Sequence, residues 1–97
     1  MRIRWKDAAL ADLQEMAEYI AAENPAAARR VLAELRNQAR ALADHPYLGR
    51  AGRVAGTREL VVTKYPYVIA YEVTERAVSI LAVVHTSRLW PQDFRSD

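Results

Sequence analysis

Between Gly56 and Pro91 the chain carries His85, three arginines (Arg58, Arg76 and Arg88) and Lys64, all near the ends of alternating β-branched runs. An imidazole titrates near neutrality and can accept or donate a proton. Guanidinium and ammonium groups hold phosphates or carboxylates. Just upstream, LGRAGRVAG interleaves all three glycines, Gly49, Gly52 and Gly56, with Arg50 and Arg53. This reads as a flexible basic connection. It lacks the Gly-x-x-x-x-Gly-Lys spacing that wraps a nucleotide phosphate, but its amides and guanidinium groups could hold an anion or a nucleic-acid backbone. Each residue also has a structural reading. His85 could be a hydrogen-bonded strand-end residue, Arg58 the partner of a carboxylate, and Lys64 a solvated turn residue. Tyr67 and Tyr71 share a strand face with Ile69 and could be core.

Three strands must position these groups. Arg58, Leu60, Val62 and Lys64 fall on one face of the first, with Glu59 and Val61 on the other. After a turn at Tyr65-Pro66, Tyr67, Ile69, Tyr71 and Val73 alternate with Val68, Ala70 and Glu72. After Thr74-Glu75-Arg76, the last strand sets Val78, Ile80, Ala82 and Val84 against Ser79, Leu81, Val83 and His85. Both faces of that strand are largely apolar, which predicts a central place in the sheet. An earlier short strand, Arg2–Trp5, turns Ile3 and Trp5 to one side.

Between the early strand and the meander lies a helical hairpin. Asp7 is a candidate N-cap. Leu10, Leu13, Ala17 and Ile20 then recur at helical spacing, with Asp12, Glu15 and Glu18 expected to face away. Asn24-Pro25 supplies a cap and a first-turn proline for a second helix. Its apolar stripe is Ala28, Val31, Leu32, Leu35, Ala39 and Leu42, with Arg29, Arg30, Arg36 and Arg40 beside or opposite it. His45-Pro46 ends the helix, and the charged form of His45 would suit a helix C-terminus. The expected organisation is α+β in the order β-α-α-β-β-β, with a helical hairpin on one face of a small, mostly antiparallel sheet. A single domain spans 1–97: a strand at 1–5, the hairpin at 7–45, the meander at 57–86 and a short tail at 87–97.

At 97 residues and 52% hydrophobic content, one folded domain is expected rather than disorder. The absence of cysteine excludes disulfides, thiolate zinc sites and a cysteine nucleophile, and fits a reducing compartment. No apolar signal core opens the sequence and no run is long enough to span a bilayer, so a cytoplasmic protein is expected. The net charge of +2 conceals a division: Asp7 to Glu23 holds five acids and no base, whereas Arg29 to Lys64 holds eight bases and three acids. A basic middle section could meet nucleic acid or an acidic protein, or be a solvated face.

Residues along nearly the whole chain carry a resemblance to a known family. They are Trp5 with Ala8 through Leu13, Tyr19-Ile20 with Asn24 through Ala27, Leu42 with His45-Pro46, and Leu48-Gly49-Arg50. The same order continues through Gly56 to Leu60, Tyr67 through Tyr71, and Ile80-Leu81 with His85 and Arg88. In order and spacing they resemble the RelE/ParE toxins of bacterial type II toxin–antitoxin systems. The resemblance implies a growth-inhibiting toxin neutralised by a small antitoxin, with no metal or cofactor. Its target would be DNA gyrase (ParE-like) or the ribosome with its mRNA (RelE-like). A degenerate toxin acting only within an antitoxin-bound repressor complex is a further alternative.

For a nuclease of this kind the resemblance implies His85 as acid or base, with Arg88, Arg58 and Lys64 facing the crowded phosphate. Arg50 and Arg53 would hold the RNA backbone, and Tyr67 or Tyr71 would stack on a base. Arg29, Arg36 and Arg40, with Trp90, would meet the antitoxin. One departure favours the gyrase branch. RelE nucleases commonly carry an arginine just before the aliphatic-aliphatic-tyrosine run, and here that place is Val68.

Overall fold

The computed structural model describes residues 1–87. Apart from Ser87, the expected tail, with Arg88 and Trp90, lies outside the described residues. Within them the alternating segments form β1 (Arg2–Trp5), β3 (Arg58–Val62), β4 (Tyr67–Val73) and β5 (Ala77–His85), and Arg50–Ala51 adds a short β2. The hairpin is α1 (Asp7–Ala21) and α2 (Pro25–Ala41). The sheet order is β1-β5-β4-β3-β2, with β1 parallel to β5 and the other pairs antiparallel. Thus β5 lies inside the sheet, and Ala77 through Val84 are all buried.

The helices cover one sheet face. Leu13 and Met16 of α1 and Val31, Leu35, Ala39 and Leu42 from α2 and its C-terminal end pack with Leu60, Val62, Ile69, Tyr71, Val78, Ile80 and Val83. On the opposite face Ala70, Leu81, Ala82 and Val84 cluster with Val54. At the start of α2 the Asn24 side chain accepts the Ala27 amide at 3.0 Å, and Pro25 occupies the first turn, where its missing N–H costs no helical bond.

Three expectations are corrected. Asp7 is the first helical residue of α1 and Lys6 the cap position, with no side-chain cap bond. The buried stripe of α1 is Ala9, Leu13 and Met16, while Leu10 is 47% exposed. The helix is therefore rotated relative to the predicted stripe, and Asp12 faces inward. Lastly, β5 does not alternate throughout. Ala70 pairs with Ala82 but Tyr71 pairs with Ile80, so Leu81 is an extra residue, a β-bulge. Beyond the bulge the faces exchange, which brings Val83 and His85 to the helix side.

Candidate functional site

The bulge and the rotation of α1 build a cavity of about 290 Å³ between the hairpin and the sheet. One face of α1 contributes Asp12, Glu15, Met16, Tyr19 and Ile20, and α2 adds Val31. Tyr65 and Pro66 come from the turn before β4, Tyr67 from β4, and Val83 and His85 from β5. The His85 and Tyr67 rings meet edge to face, with centroids 5.2 Å apart. His85 Nδ1 is 2.7 Å from the Ser87 hydroxyl and accepts the Ser87 amide at 3.1 Å. Asp12 Oδ2 accepts the Val83 amide at 2.9 Å.

Arg58, expected to act beside His85, lies elsewhere. Arg58 pairs with Tyr71 at one end of β4, whereas His85 pairs with Tyr67 at the other. That separates them by roughly 13 Å along the strands, with β4 between them. Arg58 is engaged by the backbone: its Nε and Nη2 donate to the Gly49 carbonyl at 3.0 and 2.6 Å, and its guanidinium stands 5.3 Å from the Tyr47 ring centroid. Lys64 lies at the His85 end of β4, its ammonium 5.9 Å from the Tyr65 ring centroid. Tyr71 is fully buried, so its ring belongs to the core and offers no face to a base.

The glycine-arginine connection is tied down rather than flexible. Its Arg50 and Ala51 pair with β3, and the Gly52 amide donates to the Thr57 carbonyl at 2.8 Å. Gly56 takes φ 80°, a conformation that a side chain would strain. Glu59, only 3% exposed, anchors both arginines: Arg53 Nε lies 3.1 Å from Oε2, and Arg50 Nη2 lies 3.5 Å from Oε1. Burial by itself would raise the Glu59 carboxyl. The Arg53 amide and guanidinium bonds, with the charges of Arg53 and Arg50, outweigh it and hold the group below the usual carboxylate range. Their guanidinium groups thus face a carboxylate of the same chain.

Arg29, Arg36 and Arg40 are exposed on α2. Among the described residues none of the three has an ion-pair partner. Also among the described residues, no three His, Asp or Glu side chains converge on a metal site, and no helix is long and apolar enough to cross a membrane. Sequence reasoning missed Asp12, Glu15, Tyr19 and Tyr65 as site residues. The spacing of Asp12, Glu15, Met16 and Tyr19 at i, i+3, i+4 and i+7 is the signal that places them on one helix face.

Residues 3–90 match the family model described as the ParE toxin of the type II toxin–antitoxin system parDE. The protein Y4kP of Sinorhizobium fredii, provisionally named a toxin, is 46% identical over 94% of each chain. Toxin RelE2 of Caulobacter vibrioides is 41% identical over 91% of this chain and 98% of its own. The fold is also that of a chain from the chromosomal ParDE toxin–antitoxin system of P. aeruginosa. That chain has a TM-score of 0.80 at 23% identity, covering 90% of this chain and 97% of the other.

Proposed function

The chain belongs to the ParE toxin family of type II toxin–antitoxin systems, and we propose that it arrests growth by binding DNA gyrase rather than by cutting RNA. Its partner within the system is an antitoxin. The observation that carries the gyrase reading is the setting of Val68. This side chain is 4% exposed on the sheet face away from the helices, and its cross-strand neighbours are Val61 and Val84. An apolar triplet there provides no cation for the charge that accumulates on a phosphate during 2′-hydroxyl attack.

Two further arrangements support it. Asp12 and Glu15 line the same cavity as His85, and no lysine or arginine of the described residues lines it with them to meet a phosphodiester. Arg58, Arg50 and Arg53 are engaged by the Gly49 carbonyl and the Glu59 carboxylate. On this reading the protein works in the cytoplasm, where gyrase is found. The three exposed arginines of α2 serve as the antitoxin-facing surface.

Mapping transcript ends after induction, alongside a supercoiling assay with purified toxin and gyrase, tests the proposal. The expected result is inhibited supercoiling with no new transcript ends. Codon-positioned cuts that disappear in His85→Ala would replace this reading with the ribosome-dependent nuclease. Normal growth on expression of the toxin alone would favour the repressor-only alternative.

A further inference from the structure

We infer that a second site, at the opposite end of β5 from His85, binds the phosphate backbone of duplex DNA. It is a groove of about 480 Å³ lined by Arg2, Arg4, Thr74, Glu75, Arg76 and Ala77. β1 runs parallel to β5, with Arg2 beside Ala77 and Arg4 beside Ser79. Ile3 and Trp5 pack against the helix-side core, so alternation turns Arg2 and Arg4 to the sheet face away from the helices. The two stand roughly 7 Å apart along the strand. Their β5 neighbours, Ala77 and Ser79, are small and leave the guanidinium groups room.

Arg76 joins them from the β4–β5 turn, which three bonds hold closed. The Thr74 amide and hydroxyl donate to the Ala77 carbonyl at 2.9 and 3.1 Å, and the Ala77 amide donates to that hydroxyl at 3.2 Å. All three arginines are exposed, and among the described residues none of them forms an ion pair. One carboxylate, Glu75 at the exposed turn, stands against three guanidinium groups in the lining. Arg50 and Arg53, by contrast, face Glu59.

The lining selects the ligand. Guanidinium groups grip phosphate oxygens with a planar fork of donors. No aromatic ring lines the groove, so an unpaired base finds no stacking platform of the kind that single-strand binders provide. None of the large exposed apolar side chains lines it either, so it lacks the anchors of a protein interface. A contact with backbone alone remains, suited to a duplex whose bases are already paired. That the duplex is DNA rests on the gyrase reading, since gyrase works on duplex DNA.

The test titrates the full-length toxin, without gyrase, with a short DNA duplex over a range of salt, following the arginine Nε resonances. An RNA duplex, a single DNA strand and a poly-glutamate peptide are titrated in parallel. The variants are Arg4→Gln, the triple variant Arg2→Gln/Arg4→Gln/Arg76→Gln, and Arg30→Gln, which removes one exposed charge from α2. Thermal unfolding verifies that each is folded.

Three results together support the site: saturable shifts of Arg2, Arg4 and Arg76, affinity about tenfold or more weaker in the triple variant, and a log–log salt slope flattened by about 1 in Arg4→Gln but not in Arg30→Gln. An RNA duplex bound more tightly, or a single strand or peptide bound as tightly, overturns it. So does the absence of saturable binding, or an equal effect of Arg4→Gln and Arg30→Gln. Inhibited supercoiling without duplex binding would remove this site and leave the gyrase reading standing, whereas duplex binding with unimpaired supercoiling would do the reverse.

Discussion

The Asp12 carboxylate accepts the backbone amide of Val83 at 2.9 Å across 71 residues of sequence. The bond replaces a missing strand. β1 ends with Trp5 opposite Ile80, and the Lys6 amide makes the next contact, to the Ile80 carbonyl at 3.0 Å. Farther along β5 the chain on that side has already turned into α1, and a helix side chain takes over the edge. Asp12→Ala leaves the Val83 amide without its acceptor and should cost about 1–3 kcal/mol in urea denaturation. Asp12→Asn, which still presents an oxygen, should lose clearly less. Equal losses would mean that charge, not the bond to Val83, accounts for the effect.

Gly49 is held by both of its peptide polar groups. Its amide donates to the Tyr71 hydroxyl at 2.8 Å, and its carbonyl accepts from Arg58 at 2.6 Å. The approach is so close that a Cβ would lie 2.7 Å from both the Glu59 carbonyl and the Tyr71 hydroxyl. Tyr71→Phe should therefore lower stability by about 1–3 kcal/mol, because a buried amide loses its acceptor. Gly49→Ala should cost at least about as much by forcing β3 or the loop to shift. Thermal unfolding measures both.

These contacts explain which parts of the fold were readable in sequence. Asn24-Pro25 declares a helix start through local chemistry, and the alternation in Arg2–Trp5 and Tyr67–Val73 declares strands through a period. The bulge at Leu81 declares nothing. Ile80 to Val84 is apolar on both faces because β5 lies inside the sheet, so inserting one residue within it leaves no polar residue of that run misplaced. His85 consequently faces the hairpin, where simple alternation placed it with Ser79 and Leu81. Arg58 was similarly opaque, since its partner is a carbonyl nine residues away and no charge pattern reports a carbonyl. The leucine at position 10 misled by type alone: it is 47% exposed, while the smaller Ala9 carries the contact.

Glu59 makes part of the stability sensitive to acid. Its folded-state pKa is depressed by Arg53 and Arg50 in spite of burial. Its contribution is complete above the ordinary glutamate value and is lost as the pH falls through the lower folded value. The stability difference between the parent chain and Glu59→Gln should hence be largest near neutrality and shrink below about pH 4. Denaturant titrations across that range read this directly, and a difference that grows on acidification would contradict the assigned direction.

The exposed arginines of α2 make the antitoxin reading testable. Arg29, Arg36 and Arg40 follow at i, i+7 and i+11, close to one helical face, and form no ion pairs among the described residues. Their charge is therefore available to a partner. A cationic stripe of this kind mainly accelerates encounter with an acidic surface and fixes its register. Reversing all three to glutamate should weaken antitoxin binding by about ten- to a hundredfold, mostly through slower association, since exposed pairs contribute only about 0.2–1 kcal/mol each. Because the side chains are solvated, the thermal midpoint of the free toxin should move little. Binding of the parent chain should also weaken with added salt, and that dependence should flatten or invert in the triple variant. Surface plasmon resonance at low and high ionic strength separates these effects. Unchanged association by the triple variant would move the antitoxin surface away from α2.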